Sequence, residues 1–361
     1  MKVTEFFLGF GQRIWSFQRG ETEFGLKAIP AGGYCKIVGM SPQEELEPAD
    51  QERAFYKAPV IKKLVVLGSG AFLHFVLGIL FIALLIGGVG LNQSLPKVES
   101  VIPCITTAEN CSASDPISPA QRAGIKVGDE IVGVNGEKAR WNDIVKVIRA
   151  SANKEITLIV STNGQERTVA ITPHNITIEG KSWGIIGVQN ATGMVRENFP
   201  TSVKQTFQVT GYFFKSSIQA LVSLPTKIPS LVRQTFFGEQ RDSNGLVGIV
   251  GVARASAQTA NSGDLSLREK LATFLLIIAS LNIFVGIFNL LPILPLDGGH
   301  MAVAIVEAIR RRFARAQGKP DPGPIDVEKL TPITLVVFVA LSILTLLLLA
   351  ADIFNPIDLN L

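Results

Sequence analysis

The residues best equipped for chemistry stand together in one segment: Asn289, Pro292, Pro295, Asp297, Gly298, Gly299 and His300. They close an apolar run, Leu271 to Leu294, that is interrupted only by Asn282 and Asn289. A carboxylate at membrane depth is costly and marks a functional site by default. Two prolines and two glycines around it break the helix and free backbone groups, which is tolerable only where that backbone lines a protein cavity. The plainer reading is that Asp297 caps the end of the span.

Histidine and cysteine supply little more. The three histidines are His74, His174 and His300; none is followed by glutamate and no two are four apart. An H-E-x-x-H helix, which puts two imidazoles on one face with a base between them, is therefore not written in these residues. His74 lies midway along an apolar run and reads as a packing or hydrogen-bonding residue. Three cysteines are too few for a disulfide scaffold and too irregular for a zinc ribbon. Cys104 and Cys111 form a candidate disulfide, the alternative being two free thiols; Cys35 reads as inert.

The elements that must position these residues are membrane helices. Of the 361 residues 47% are hydrophobic and only 18% charged, and the mean hydropathy is +0.34. Soluble domains carry about a quarter charged residues, so a disordered or purely cytosolic chain is excluded. A net charge of +4 is too weak to indicate a nucleic-acid partner. Leu64–Leu91, Leu271–Leu294 and Ile333–Ala351 each have the length and apolarity to cross a bilayer. No comparable run precedes Leu64, which predicts neither a signal peptide nor an N-terminal anchor. Lys62 and Lys63 flank the first span, and Arg310, Arg311, Arg312 and Arg315 follow the second. The positive-inside rule predicts those flanks to be cytoplasmic and residues 92–270 to be extracytoplasmic, in a multi-pass plasma-membrane protein. Cys104 and Cys111 would then face an oxidising compartment.

Between the first two spans the pattern becomes β-rich. Lys97–Val101 reads as a strand, Ser118–Gly124 as a capped helical turn, and Gly128–Gly136 as a strand running into an Asn-Gly hairpin. Trp141–Ala150 reads as a helix, and strands Glu155–Ser161 and Glu166–Ile171 meet at Asn163-Gly164. This order resembles a bacterial PDZ domain, placed at 96–175. The resemblance implies a groove that takes a peptide, such as a C-terminus, as an added strand; a β-rich spacer without a ligand is the alternative. Residues 176–270 read as a linker in which 204–240 is amphipathic, either a segment lying on the membrane face or a plain helix.

The motif N-x-x-P-x-x-x-L-D-G-G, from Asn289 to Gly299, resembles the signature of the site-2 protease family of intramembrane zinc metalloproteases. The resemblance implies that Zn2+ is the cofactor, that Asp297 is a zinc ligand, and that Asn289 holds the substrate or stabilises the oxyanion. Residues 1–63, through Gly9-Phe10-Gly11, Arg19–Glu23, Lys27–Pro30 and Gly32-Gly33-Tyr34, are similar to the family's membrane-associated β-hairpin. Read directly, Glu23–Lys27 and Tyr34–Val38 are short strands about a Pro-Ala-Gly-Gly turn. By resemblance Gly32, Gly33 and Tyr34 belong to an edge that holds an extended substrate.

The implied fold is a polytopic α-helical membrane protein with an inserted α+β PDZ domain and that N-terminal hairpin. Three spans are written here, separated by a basic loop at 301–332. A fourth, carrying H-E-x-x-H, is expected a dozen or so residues before Met1. Without it the chain lacks the family's general base. The implied substrates are single-pass transmembrane proteins, such as anti-sigma factors in regulated intramembrane proteolysis. The reading from a different class is a membrane PDZ protein that binds transmembrane clients without cutting them.

Overall fold

The computed structural model describes residues 1–40, 44–105, 111, 115–178, 181–242 and 245–356. The chain forms two compact units: residues 1–84, 200–266 and 273–361 make one, and residues 85–199 and 267–272 the other.

The first unit opens with β1 (Val3–Arg19) and β2 (Thr22–Ile37). The sequence places the turn at Pro30–Gly33, but the chain reverses at Gly20, where φ is +64°. Gly9 and Gly11, at φ +93° and +82°, bend β1 so that its first half pairs twice. Phe7 lies opposite Tyr34 on one side and Gly25 on the other, while Phe17 pairs with Phe24. The segments predicted to pair with each other, 23–27 and 34–38, therefore both flank residues 5–8. After the short helix α1 (Pro48–Gln51) comes α2 (Val60–Ala83), drawn out by a wider turn over Leu84–Val89. The first apolar run thus ends in that turn, and Leu91 already belongs to a strand.

The second unit is β-rich. Strands β3 (Leu91–Val101), β4 (Glu130–Val134), β5 (Glu137–Lys138), β6 (Ile156–Thr162), β7 (Gln165–Ile171) and β10 (Val188–Val195) form one sheet, ordered β10-β3-β4-β6-β7 with β5 beside β4. Two helices, α3 (Pro119–Arg122) and α4 (Trp141–Ala150), accompany it, and β8 (His174–Ile178) and β9 (Lys181–Ile185) pair separately. Asn135-Gly136 and Asn163-Gly164 turn with positive φ, as tight hairpins between twisted strands require. Val98, Ile131, Ile144, Leu158 and Val160 are fully buried in the core. The sheet is wider than 96–175 because β10 pairs along β3 from Leu91 to Val101. No turn motif in the sequence marks that long-range pairing.

The chain returns to the first unit through α5 (Phe199–Phe236), α6 (Ile249–Asn261), α7 (Leu267–Asn289), α8 (Asp297–Ala316) and α9 (Thr331–Phe354). Among the described residues of 176–270 are the end of β8, strands β9 and β10, and helices α5 and α6. Likewise 301–316 is helical rather than loop, and the second apolar run stops being helix at Asn289. Val60–Val89, Leu267–Asn289 and Thr331–Phe354 are long and apolar enough to cross a membrane. Small residues let α2 and α7 approach: a Cβ on Gly78 would lie 2.8 Å from Ile283, and one on Gly286 3.0 Å from the Phe75 ring.

Two carboxylates show how charge is held inside. In the first unit Asp352 of α9 accepts from Arg241 (3.1 Å) and from the Gly251 N–H (2.7 Å), with both charged side chains almost fully buried. In the second, Asp129 accepts from Thr162 Oγ1 (2.6 Å), the Lys126 N–H (2.9 Å) and Arg167 (3.0 Å). Burial works to raise the Asp129 pKa, but these donors outweigh it and hold the carboxyl below its ordinary value. Because the folded pKa is depressed, this stabilisation is complete at neutral pH and is lost only as the pH falls below about 4. Asp129→Asn is expected to destabilise this unit by about 2 kcal/mol at neutral pH and to flatten its acid limb. Thermal melts followed by the fluorescence of Trp141 and Trp183 check this; an unchanged acid limb would count against it.

Candidate functional site

The site is built where α7 stops and α8 starts. Asn289 is the last residue of α7 and is half-buried; Asp297 is the first of α8 and is half-buried too. In the seven residues between them, four of the five N–H groups that leave the helical path bond locally. Pro292 and Pro295 have no N–H, and the Leu294–Pro295 peptide is cis. The N–H groups of Leu290, Leu291, Ile293 and Leu296 donate to the carbonyls of Ile287, Phe288, Leu291 and Ile293. Local hydrogen bonding of this kind is what permits an irregular segment at membrane depth.

The two glycines after Asp297 are required by close approach. A Cβ on Gly298 would overlap the carbonyl oxygens of Leu290 and Leu291, and one on Gly299 would lie 2.5 Å from the Leu294 nitrogen. The loop thus folds down onto the first turn of α8, fixing Asp297 at that helix's N-terminus, where a negative charge is favoured. Asp297 faces α2: its Oδ2 is 3.9 Å from where a Cβ would stand on Gly70. One helical turn along α2, His74 Nδ1 lies 2.9 Å from Asn282 Oδ1 of α7. That contact agrees with a hydrogen-bonding rather than a ligating His74.

Other predicted residues fall elsewhere. Gly32 and Gly33 are exposed and Tyr34 half-buried on β2. The Tyr34 hydroxyl donates to Glu5 (2.6 Å) and accepts from Lys27 Nζ (2.6 Å), and that ammonium lies 4.7 Å above the Phe7 and Tyr34 rings. Residues 33–37 pair with β1 on one side only, which makes them an edge. Cys104 and Cys111 form a disulfide with Cα atoms 5.9 Å apart. Burial pushes the thiol of free Cys35 above its usual pKa, so it stays protonated at neutral pH. His174 begins β8, in the other unit from Asp297.

In the β-rich unit a cavity of about 320 Å³ lies between α4 and the segment 184–188. Ile102, Trp141, Val145, Ile148 and Ile186 line it, with Arg149 the one charged group. Sequence reasoning missed Gly70 and Asn282 as partners of the central residues. The signal was present, since polar residues in two otherwise apolar helices, such as His74 and Asn282, tend to find each other.

Among the described residues no three His, Cys, Asp or Glu side chains come together as a metal site. Asp297 alone does not fit a zinc ion. Gly298→Ala is expected to cost about 1–3 kcal/mol, because the added methyl must push the 290–296 loop away. Thermal unfolding of the detergent-solubilised protein measures this, and an unchanged Tm would contradict the packing.

The Peptidase family M50 profile matches residues 1–320. The zinc metalloprotease Rip1 of Mycobacterium tuberculosis is 35% identical over 379 residues, covering 99% of this chain and 91% of that protein. The zinc metalloprotease RasP of Geobacillus kaustophilus is 25% identical over 424 residues, covering 97% of this chain and 90% of its own. Among solved structures, the PDZ domain of the SdrC-like protein from Listeria innocua covers 25% of this chain and 93% of its own, with 14% identity and a TM-score of 0.18. A profile matched along most of the sequence, and a relative this similar from end to end, lead to one conclusion: the chain belongs to Peptidase family M50.

Proposed function

We propose that this protein is an intramembrane zinc metalloprotease of the site-2 type that cuts single-pass transmembrane substrates, such as anti-sigma factors. The observation that carries the reading is Asp297, held at a helix break by Gly298 and Gly299 and turned toward Gly70 of α2. Zn2+ is the cofactor, as the names of the Mycobacterium and Geobacillus relatives suggest. Asp297 is the ligand these residues contribute. A complete site of this type also needs two imidazoles and a glutamate base, which the described residues do not bring to Asp297. No hydrolytic step is assigned to the residues present.

What this chain's own residues do is position the substrate. The Asn289 amide, at the mouth of the break, orients the scissile peptide and donates to its carbonyl oxygen. The 33–37 edge of the hairpin offers unpaired backbone to an unwound substrate strand. Its exposed Phe6, Leu8, Phe10 and Trp15 suit a membrane surface. The β-rich unit acts as a PDZ domain on the extracytoplasmic side, taking an apolar peptide C-terminus into the cavity beside α4. The Lys and Arg flanks of the spans support that orientation.

In the full-length protein Asp297→Ala should lower zinc content and cleavage of a single-pass reporter by roughly a hundredfold or more. Asn289→Ala should lower kcat by roughly a hundredfold with zinc retained. Zinc assay by mass spectrometry alongside reporter cleavage separates the two. Full activity in Asp297→Ala would sink the metalloprotease reading. A native protein whose zinc content stays at zero would favour a client-binding protein that does not cut, a reading consistent with an Asp297 that has no cluster of further ligands among the described residues. Val145→Asp should abolish binding of apolar C-terminal peptides, measured by fluorescence anisotropy on the full chain; unchanged binding would remove the cavity from the proposal.

A further inference from the structure

A second cavity, of about 470 Å³, lies in the first unit between the start of α2 and one face of α8. Val60 and Lys63 line it from α2. From α8 come Ala304, Glu307, Ala308, Arg311, Arg312 and Arg315, residues spaced to share one helix face. The two alanines make room, and the arginines form the wall.

The charges within it are unequally satisfied. Lys63 is bound to Glu307 at 2.8 Å, both side chains being less than 10% exposed. The other Glu307 oxygen accepts from the Ile325 N–H at 2.8 Å. Arg311 Nε lies 3.4 Å from Asp321. Among the described residues Arg312 and Arg315 have no carboxylate partner, and Arg312 and Arg315 are exposed. A pocket with four cations, one carboxylate and two unpaired guanidinium groups is made for an anion. Guanidinium forks match phosphate oxygens in pairs.

The place of the pocket says which anion. It opens at the start of α2, beside Lys62 and Lys63, just before the apolar run from Leu64, and a flank of that kind belongs at the headgroup level of a bilayer. On the opposite face of α8, Ile305, Ile309 and Phe313 stand exposed at four-residue intervals, 43%, 49% and 64% accessible. A helix with arginines on one face and an exposed apolar stripe on the other suits the membrane interface. We propose that this pocket binds the phosphate of an anionic phospholipid headgroup. Basic pockets between membrane helices serve this purpose elsewhere.

The test uses full-length protein in detergent and native mass spectrometry with phosphatidylglycerol and phosphatidylcholine as probes. Phosphatidylglycerol should be retained in preference to phosphatidylcholine. The double variant Arg312→Gln/Arg315→Gln should weaken it roughly thirtyfold, from about fivefold for each cation near a headgroup. Arg310→Gln removes the same charge from α8 outside the pocket and should leave binding unchanged. Both substituted arginines of the double variant are exposed, and an unchanged thermal melt shows that the fold is intact. Inorganic phosphate and glycerol 3-phosphate form the second arm. Failure of either to displace the lipid supports the headgroup as ligand, whereas equal binding keeps the anion site and makes its ligand a soluble phosphate. Undiminished phosphatidylglycerol binding in the double variant, or an equal loss in Arg310→Gln, would overturn the proposal.

Discussion

Everything around the central site depends on one requirement: backbone that leaves the helix at membrane depth must satisfy its own hydrogen bonds. Between Asn289 and Asp297 this is largely met by subtraction and by local closure. Two prolines remove donors, and four of the remaining N–H groups bond within the loop or to the last turn of α7. The closure needs the loop to lie against the first turn of α8, and only glycine at 298 and 299 leaves space for that. The position of Asp297 is therefore a consequence of backbone packing more than of any bond made by its carboxylate. A carboxylate placed this way stays available to an incoming partner.

The remaining helices are joined without the force that drives soluble proteins together, since lipid is as apolar as a leucine side chain. The contacts that serve instead are visible. Gly78 and Gly286 admit Ile283 and Phe75, His74 meets Asn282, Lys63 meets Glu307, and Arg241 meets Asp352. The two ion pairs are enclosed and His74–Asn282 is half-buried, and each unites segments far apart in the chain. Such pairs specify which helices meet more than they stabilise, because burying charge costs nearly as much as the attraction returns. Removing one partner is the damaging change, as it strands the other charge.

Local chemistry was readable from sequence, and long-range pairing was not. The Asn-Gly turns, the helix at Trp141–Ala150 and the Asn289–Gly299 motif announce themselves, because each follows from the residues at that place. Three apolar runs likewise announced three helices, with errors only at their ends. The hairpin was misread because Pro30-Ala31-Gly32-Gly33 carries a stronger turn signal than Gly20, although the bends at Gly9 and Gly11 decide the pairing. Strand β10 was lost inside a presumed linker because its partner β3 is about ninety residues away, as Val188 opposite Val101 shows. Helix α8 was read only as a basic loop between two spans, on the strength of its four arginines. Its four-residue apolar spacing at Ile305, Ile309 and Phe313 was the clue that could have corrected this.

Gly70 gives the site its remaining character. A Cβ at this position of α2 would stand 3.9 Å from Asp297 Oδ2, within ordinary contact of the carboxylate. Glycine in a helix interior costs about 1 kcal/mol relative to alanine, and this one leaves bare α2 backbone beside the Asp297 carboxylate. A carboxylate set by backbone packing at a helix break, facing a glycine of the neighbouring helix, is the arrangement on which the proposed role of Asp297 rests.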